Sequence, residues 1–392
     1  MERKFFFLIA LVGGLAILSS TMSKTPVLPL FAADLGATPA EIGWIVIAST
    51  IPGILISFPA GAIADVFGKR RIIIASLVVF ATAPFLYLLI SESWHLMAVR
   101  FYHGFATAIF GTVASAAIAE RFPEQRAAML STYSSVTIVG RSVAPFLGGF
   151  LISVANFHSV YVACAISGVI ALAVGLMLPK EIQVAHAKAS AMPQFFSALR
   201  IVLQSRGIVL TSLLEAVQFL VFGAVEAFLA LYAASVGIPP WQIGVILGAQ
   251  LISVVLIKPA MGALSDRWGR RAVILPGLLL GIIGVGLLPL SQDFIVLCVL
   301  SIAFGMGFAT VTSSTSALVA DHTKGGAFGA SIGVLRTIMD VGQTIGPVMT
   351  GLLVAAWGYH VAFPVLAILL ALSAMIFVFA PDLGARVERP SA

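Results

Sequence analysis

Gly61-Ala-Ile-Ala-Asp65-Val-Phe-Gly68-Lys69-Arg70-Arg71 is the stretch that decides the fold, because it occurs again as Gly262-Ala-Leu-Ser-Asp266-Arg267-Trp-Gly269-Arg270-Arg271. Both copies keep the spacing Gly-x3-Asp-x2-Gly-basic-basic, and Asp65 and Asp266 stand 201 positions apart in a chain of 392. Each copy interrupts long apolar segments, so each reads as a short polar loop between two membrane helices. A motif repeated at half the chain length means two related halves.

Composition agrees with a membrane chain. Hydrophobic residues make up 60% and charged residues 10%, against roughly 25% charged in a soluble domain. About 20 apolar residues span a bilayer as a helix, and twelve such segments fill most of the sequence. They are expected at about 5–31, 40–64, 71–90, 95–119, 127–153, 159–178, 207–234, 241–265, 271–290, 294–319, 328–356 and 360–380. The fold class is therefore an all-α membrane protein of twelve transmembrane helices. Residues 1–178 form an N-terminal six-helix bundle, 179–206 a cytoplasmic linker, and 207–392 a C-terminal six-helix bundle with a short tail. Within the linker, Phe195–Leu203 suits a short amphipathic helix on the membrane surface. The first apolar run lacks an A-x-A cleavage site and is read as a retained helix.

Charge placement orients the chain. Seventeen of its 22 Lys and Arg residues fall on one side, and the loops at about 32–39, 91–94, 154–158, 235–240, 291–293 and 357–359 hold none. The positive-inside rule makes both termini and the linker cytoplasmic. The net charge of +6 then faces anionic lipid heads, and no nucleic-acid partner is needed to explain it. Cys164 and Cys298 lie in apolar runs and imply no disulfide framework. No Gly-rich Lys-Ser/Thr phosphate loop, metal-ligand spacing or nucleophile–base pair is found. No cofactor, metal or enzymatic activity is expected.

The halves also match outside the loops. Leu35-Gly36-Ala-Thr-Pro39-Ala-Glu-Ile42-Gly43 resembles Val236-Gly237-Ile-Pro-Pro240-Trp-Gln-Ile243-Gly244. Gly104-Phe-Ala-Thr107 recurs as Gly307-Phe-Ala-Thr310, and Pro145-x2-Gly148-Gly149 corresponds to Pro347-x3-Gly351.

The two loops resemble the signature loops of the major facilitator superfamily of secondary transporters, although Val66 stands where a basic residue is usual. That resemblance implies two parallel, pseudo-symmetric six-helix bundles around a central cavity, working by alternating access in the cell (inner) membrane. It also implies that the loop charges form a cytoplasmic latch. In the first half the latch would be Gly61, Asp65, Gly68, Lys69 and Arg70 with Glu120 as partner. In the second half it would be Asp266, Arg270 and Arg271 with Asp321. The bland alternative is that the basic residues only fix topology. Three further stretches resemble the drug:proton antiporter branch. They are Pro26-Val-Leu-Pro29, Arg100-x3-Gly104 with His103 where Gln is usual, and the helix 5 motif Gly140-Arg-Ser-Val-Ala144-Pro145-Phe-Leu-Gly148-Gly149. In the motif Ala144 replaces a glycine and Arg141 is an added charge. The small residues suit close packing, with a bend at Pro145.

Eight charges remain inside the predicted helices: Lys24, Arg100, Arg141, Lys258, Arg336, Glu215, Glu226 and Asp340. Each costs roughly 2.5–3.5 kcal/mol at mid-membrane if unpaired and facing lipid. Snorkelling accounts for Lys24, Glu226 and Lys258 near helix ends. Arg336 and Asp340 are four apart and can pair, either as a structural ion pair or with Asp340 as the protonation site. Glu215, Phe219, Phe222 and Glu226 share one helical face, an arrangement suited to an amphiphilic or cationic ligand; packing alone is the plain reading of the two rings. His103 titrates near neutrality or is a hydrogen-bonded core residue. The intramembrane balance of +2 favours an anionic, zwitterionic or acid-headed amphiphilic substrate.

The expectation is proton-coupled efflux of small amphiphilic drugs or metabolites, with protons and membrane lipid as partners and a monomeric state. A proton-coupled or uniport carrier of an organic anion or sugar-like metabolite is the alternative. A non-transporting sensor of the same fold is disfavoured by the lack of an appended soluble domain.

Overall fold

The computed structural model describes residues 2–179, 206–322 and 328–379. The linker, except for its two end residues, and the segment Phe195–Leu203 lie outside the described residues. So do the side chains of Asp65, Asp321 and Arg336 and the surroundings of Gly61.

The described residues are helical, with no strand among them. In chain order they form α1 Glu2–Met22, α2 Val27–Asp34, α3 Pro39–Ile47, α4 Thr50–Phe67, α5 Lys69–Tyr87, α6 Ser93–Arg121 and α7 Arg126–Val154. There follow α8 Phe157–Leu176, α9 Arg206–Ser235, α10 Pro240–Trp268, α11 Arg270–Gly286, α12 Phe294–His322, α13 Phe328–Trp357 and α14 Tyr359–Val378. Eleven spans among the described residues are long and apolar enough to cross a membrane, α1 and α2 together making the first. The remaining predicted segment, the second at about 40–64, is divided into α3 and α4.

Both divisions fall at prolines. Pro26 and Pro52 carry no N–H, so the carbonyls four residues earlier, on Met22 and Ala48, lose their helical partner, and the ring crowds them. The sequence pattern predicts one continuous helix in each place; the apolar run is continuous, and the backbone is not. Polar caps fix the starts of other helices. The Thr38 hydroxyl accepts from Glu41 N at 3.3 Å while Glu41 Oε2 accepts from Thr38 N at 2.7 Å, a reciprocal cap on α3. Asn156 Oδ1 accepts from Ser159 N at 2.9 Å at the start of α8.

The chain forms two compact units, Met1–Ala187 with Ala233–Gly248, and Lys188–Tyr232 with Ala249–Ala392. Internal contacts repeat between the halves. In α7 a Cβ on Gly140 would sit 2.7 Å from the Gly14 carbonyl of α1. In α13 a Cβ on Gly342 would sit 2.3 Å from the Ala216 carbonyl of α9. Such backbone contact is open only to glycine.

The same comparison corrects one sequence pairing. A Cβ on Gly104 would meet the Ser49 carbonyl at 2.3 Å, at the α3–α4 junction. The residue that packs equivalently in the second half is Gly305, whose Cβ would meet the Gln250 carbonyl at 2.7 Å. Gly307 instead faces Gly277 of α11. Between α6 and α12 the register is therefore the 201-residue offset of the signature loops, whereas Gly140 and Gly342 stand 202 apart, and the Gly-Phe-Ala-Thr coincidence lies two residues off the α6–α12 register.

These contacts give a stability prediction. Gly104→Ala should lower stability by about 1–3 kcal/mol through forced backbone displacement. Gly111→Ala on the same helix, where nothing lies within 4 Å, should be neutral or stabilising by up to about 1 kcal/mol. Thermal unfolding of the two variants in detergent, side by side, checks both signs.

Candidate functional site

The signature stretches are tighter than loops. A single residue separates α4 from α5 and α10 from α11: Gly68 at φ +91° and Gly269 at φ +93°. That left-handed conformation is one glycine adopts without penalty. The aspartate of each copy therefore lies in the last turn of one helix, and the basic residues lie in the first turn of the next.

This placement runs against the helix dipoles, which favour cations at C-termini and anions at N-termini by about 0.3–1 kcal/mol each. Neighbouring helices offset it. Lys69, 1% exposed, has Glu120 Oε1 and Oε2 both at 2.7 Å, at the end of α6. Arg70 donates from Nε to the Leu178 carbonyl at 2.8 Å and from a terminal nitrogen to that of Leu176 at 2.9 Å, at the end of α8. In the second half Arg270 pairs with Asp266 one turn earlier, and Arg271 donates to the Val378 carbonyl at the end of α14. The second basic residue of each copy thus ties the third span of its repeat to the sixth.

The helix 5 motif lies along α7, which continues unbroken through Pro145. Gly140 packs on α1, and Gly148 meets Val27 of α2, where a Cβ would be 3.0 Å from its methyl carbon. Gly149 meets Pro240 and Gly244 at the start of α10, with the Pro240 carbonyl 2.4 Å from the position of a Cβ. There the Ser153 hydroxyl also accepts from Trp241 N at 2.8 Å. Arg141, one position from the glycine that packs on α1, is exposed.

Intramembrane charges in the first unit fall in two environments. Lys24 lies at the α1–α2 break, half-buried and engaged with a partner. Arg100 is 3% exposed and donates to Ser49 Oγ at 2.6 Å. His103, one turn on, is 1% exposed and has no hydrogen-bond partner on either nitrogen. The hydrogen-bonded core histidine considered from sequence is not what is found.

The second unit holds a polar cluster centred on α9. Glu215 is fully buried. Its Oε2 accepts from the Thr315 hydroxyl of α12, and its Oε1 has no partner. Lys258 of α10 lies within electrostatic reach of it. The Ser212 hydroxyl and both amide atoms of Gln218, three residues to either side of Glu215, are buried without partners. Beside them Phe222 stacks on Phe308 of α12 at 4.4 Å between centroids, and Phe219 meets the same ring edge-on at 5.0 Å. The two phenylalanines therefore pack against a neighbouring helix of the bundle rather than standing out toward lipid. Glu226 is half-buried and Asp340 exposed, and neither is without a partner.

Thr315 allows Glu215 two states. Its hydroxyl also lies 3.0 Å from the Val311 carbonyl. With an ionised Glu215, Thr315 donates to the carboxylate. With a protonated Glu215, the carboxyl donates to Thr315 Oγ1, and Thr315 turns its own proton to Val311.

Sequence reasoning missed Thr315, Gln218, Tyr87 and Tyr161. The hydroxyl-rich run Thr310-Val-Thr-Ser-Ser-Thr315 was a signal for the first. Gln218 stands three residues from Glu215 and was visible on its face. The tyrosines stand in apolar runs with no pattern to distinguish them.

Comparison with known proteins places the chain. The Major Facilitator Superfamily profile matches residues 9–240 and 211–392, and the chain belongs to that superfamily. It is 26% identical over 381 residues to the quinolone resistance protein NorA of Staphylococcus aureus, covering 95% of this chain and 93% of the relative. It is 24% identical to an uncharacterised MFS-type transporter of Methanocaldococcus jannaschii over 84% of this chain and 86% of that one. Its fold matches the nucleoside transporter NupG with a TM-score of 0.82 at 14% identity, covering 95% of this chain and 98% of the other. It is a small-molecule membrane transporter resembling the drug:proton antiporter branch, and not an enzyme.

Proposed function

We propose that the chain exports small amphiphilic compounds in exchange for protons, by alternating access, with Glu215 as the coupling carboxyl. The carrying observation is a fully buried acid with one oxygen unpartnered and a threonine placed to serve both of its protonation states. An acid at membrane depth is a functional feature by default, because burying it is costly. Asp340 serves this role less well: its side chain is exposed rather than sealed among neighbouring helices. The unpartnered Gln218 amide and the Phe219–Phe222–Phe308 rings adjoin the acid and suit an amphiphile with one polar end. A relative from Streptococcus pneumoniae named as a multi-drug resistance efflux pump supports the direction. The same reading takes the cell membrane as the site of action, with cytoplasmic termini and the signature charges as the latch that breaks during the cycle.

One observation favours a second reading. Arg141 is exposed in the middle of a membrane span, and a cation there suits an organic anion.

Driven uptake into proteoliposomes separates the two. A panel of cationic dyes and organic anions is offered under an imposed pH gradient, with internal pH followed simultaneously. Proton movement tied to dyes is the expected result. Movement tied only to anions shifts the binding role to Arg141 and Lys24, and flux without any pH change rejects proton exchange.

A further inference from the structure

The first unit buries an uncompensated cation. Arg100 lies about 10 Å along α6 from its outer end, at a rise of about 1.5 Å per residue. It donates to the neutral Ser49 hydroxyl at 2.6 Å, the Tyr87 hydroxyl stands beside it, and its Nε is buried without a partner. Among the described residues no carboxylate pairs with it. A guanidinium cannot shed its proton, so the charge stays.

What surrounds it is rich in donors. The hydroxyls of Tyr87 and Tyr161 and both nitrogens of His103 are buried and have no hydrogen-bond partner. All three side chains lie within electrostatic reach of Arg100. They also adjoin each other: Tyr87 stacks on Tyr161 at 4.4 Å and meets His103 at 6.1 Å between centroids. Four side chains from α5, α6 and α8 therefore bring at least four unused N–H and O–H groups to one buried place. Water would satisfy hydrogen bonds there but leave the positive charge unbalanced.

The second repeat shows that the fold does not require this polarity. At the corresponding positions, 201 residues on for Arg100, His103 and Tyr87 and 202 on for Tyr161 as for Gly140, stand Ser301, Phe304, Leu288 and Phe363, all buried, and Ser301 Oγ donates to Gln250 Oε1 at 2.9 Å where Arg100 meets Ser49. A neutral, mostly apolar set packs the same corner.

We propose that Arg100, His103, Tyr87 and Tyr161 bind a small monovalent inorganic anion of about chloride's size. The guanidinium supplies the counter-charge, and the tyrosine hydroxyls and one imidazole N–H complete the shell. Aromatic rings flank these groups, with Phe80 edge-on to His103 at 5.7 Å, and burial on all sides suits a small ion better than an organic carboxylate of substrate size. The site is separate from the proton-coupling proposal and does not depend on it.

Two measurements on the purified full-length chain test it. Its unfolding temperature is followed as bromide replaces isethionate at constant ionic strength. A rise that grows with the logarithm of bromide above its dissociation constant, about 3 °C over a hundredfold range, is expected from one ligand binding the folded state only. Arg100→Gln should abolish that rise, and Tyr161→Phe should shift its onset to higher bromide. Glu215→Gln should leave it unchanged, which keeps the two proposals distinguishable. Crystals of the unaltered protein in bromide should show an anomalous peak beside Arg100 Nε, so the test survives a variant that does not fold. An unfolding temperature indifferent to halide, or a bromide-saturated crystal with no peak there, overturns the proposal.

Discussion

Replacing Glu215 with glutamine should lower pH-gradient-driven transport by about 100-fold, the scale set by removing a positioned proton-transfer group. Substrate counterflow at equal pH should persist. Glutamine keeps the shape of the side chain and still accepts from the Thr315 hydroxyl, so the packing of α9 on α12 survives. What it loses is the ability to release a proton, and only the coupled half of the cycle needs that. Thr315→Val should act in the same direction more weakly, because it removes the hydroxyl that accepts from the protonated acid. Asp340→Asn, in an exposed position, should retain most of the driven flux. The readings are initial rates of uptake and of internal pH change in proteoliposomes. Full driven transport by the glutamine variant would sink the assignment of Glu215.

Breaking the Lys69–Glu120 pair should be asymmetric. Lys69 is 1% exposed, whereas the Glu120 side chain is 34% exposed. Glu120→Gln leaves a buried ammonium without its counter-charge and should cost about 2–3 kcal/mol, below the 3–5 typical of fully buried pairs because water reaches the carboxylate side. Lys69→Met removes the buried charge together with the need for a partner and leaves a carboxylate that water can solvate. It should cost about 1 kcal/mol or less. Unfolding temperatures of the two variants in the same detergent decide the matter. Equal losses would mean that the pair is not the buried, water-poor contact described above.

Much of the architecture was legible because membrane helices advertise themselves by length and apolarity, and because the Gly-x3-Asp-x2-Gly-basic-basic stretch appears twice. The helix breaks at 23–26 and 48–49 were not, since they depend on prolines whose effect the apolar run conceals. Pro26 and Pro52 were there to be read. At the site, charge was legible and partnership was not. Glu215 and Glu226 lie on one face by spacing, yet one is sealed beside a threonine of α12 and the other is half-buried, and only the packing of neighbouring helices separates them. The match of Gly104 with Gly307 shows the limit of local similarity: four identical residues lost to a register fixed by backbone contacts.

The reach of Arg70 to the carbonyls of Leu176 and Leu178, and of Arg271 to that of Val378, bears on how the protein is made. A ribosome delivers the chain from its N-terminus. Once Leu178 has left the translocation channel, the first repeat holds both ends of its own clasp, and none of the second repeat's spans has yet been inserted. The second repeat closes in the same manner on its own last helix. Biosynthesis can therefore proceed as two successive closures rather than one late collapse of all the spans, which shortens the time that polar intramembrane groups stand open to lipid.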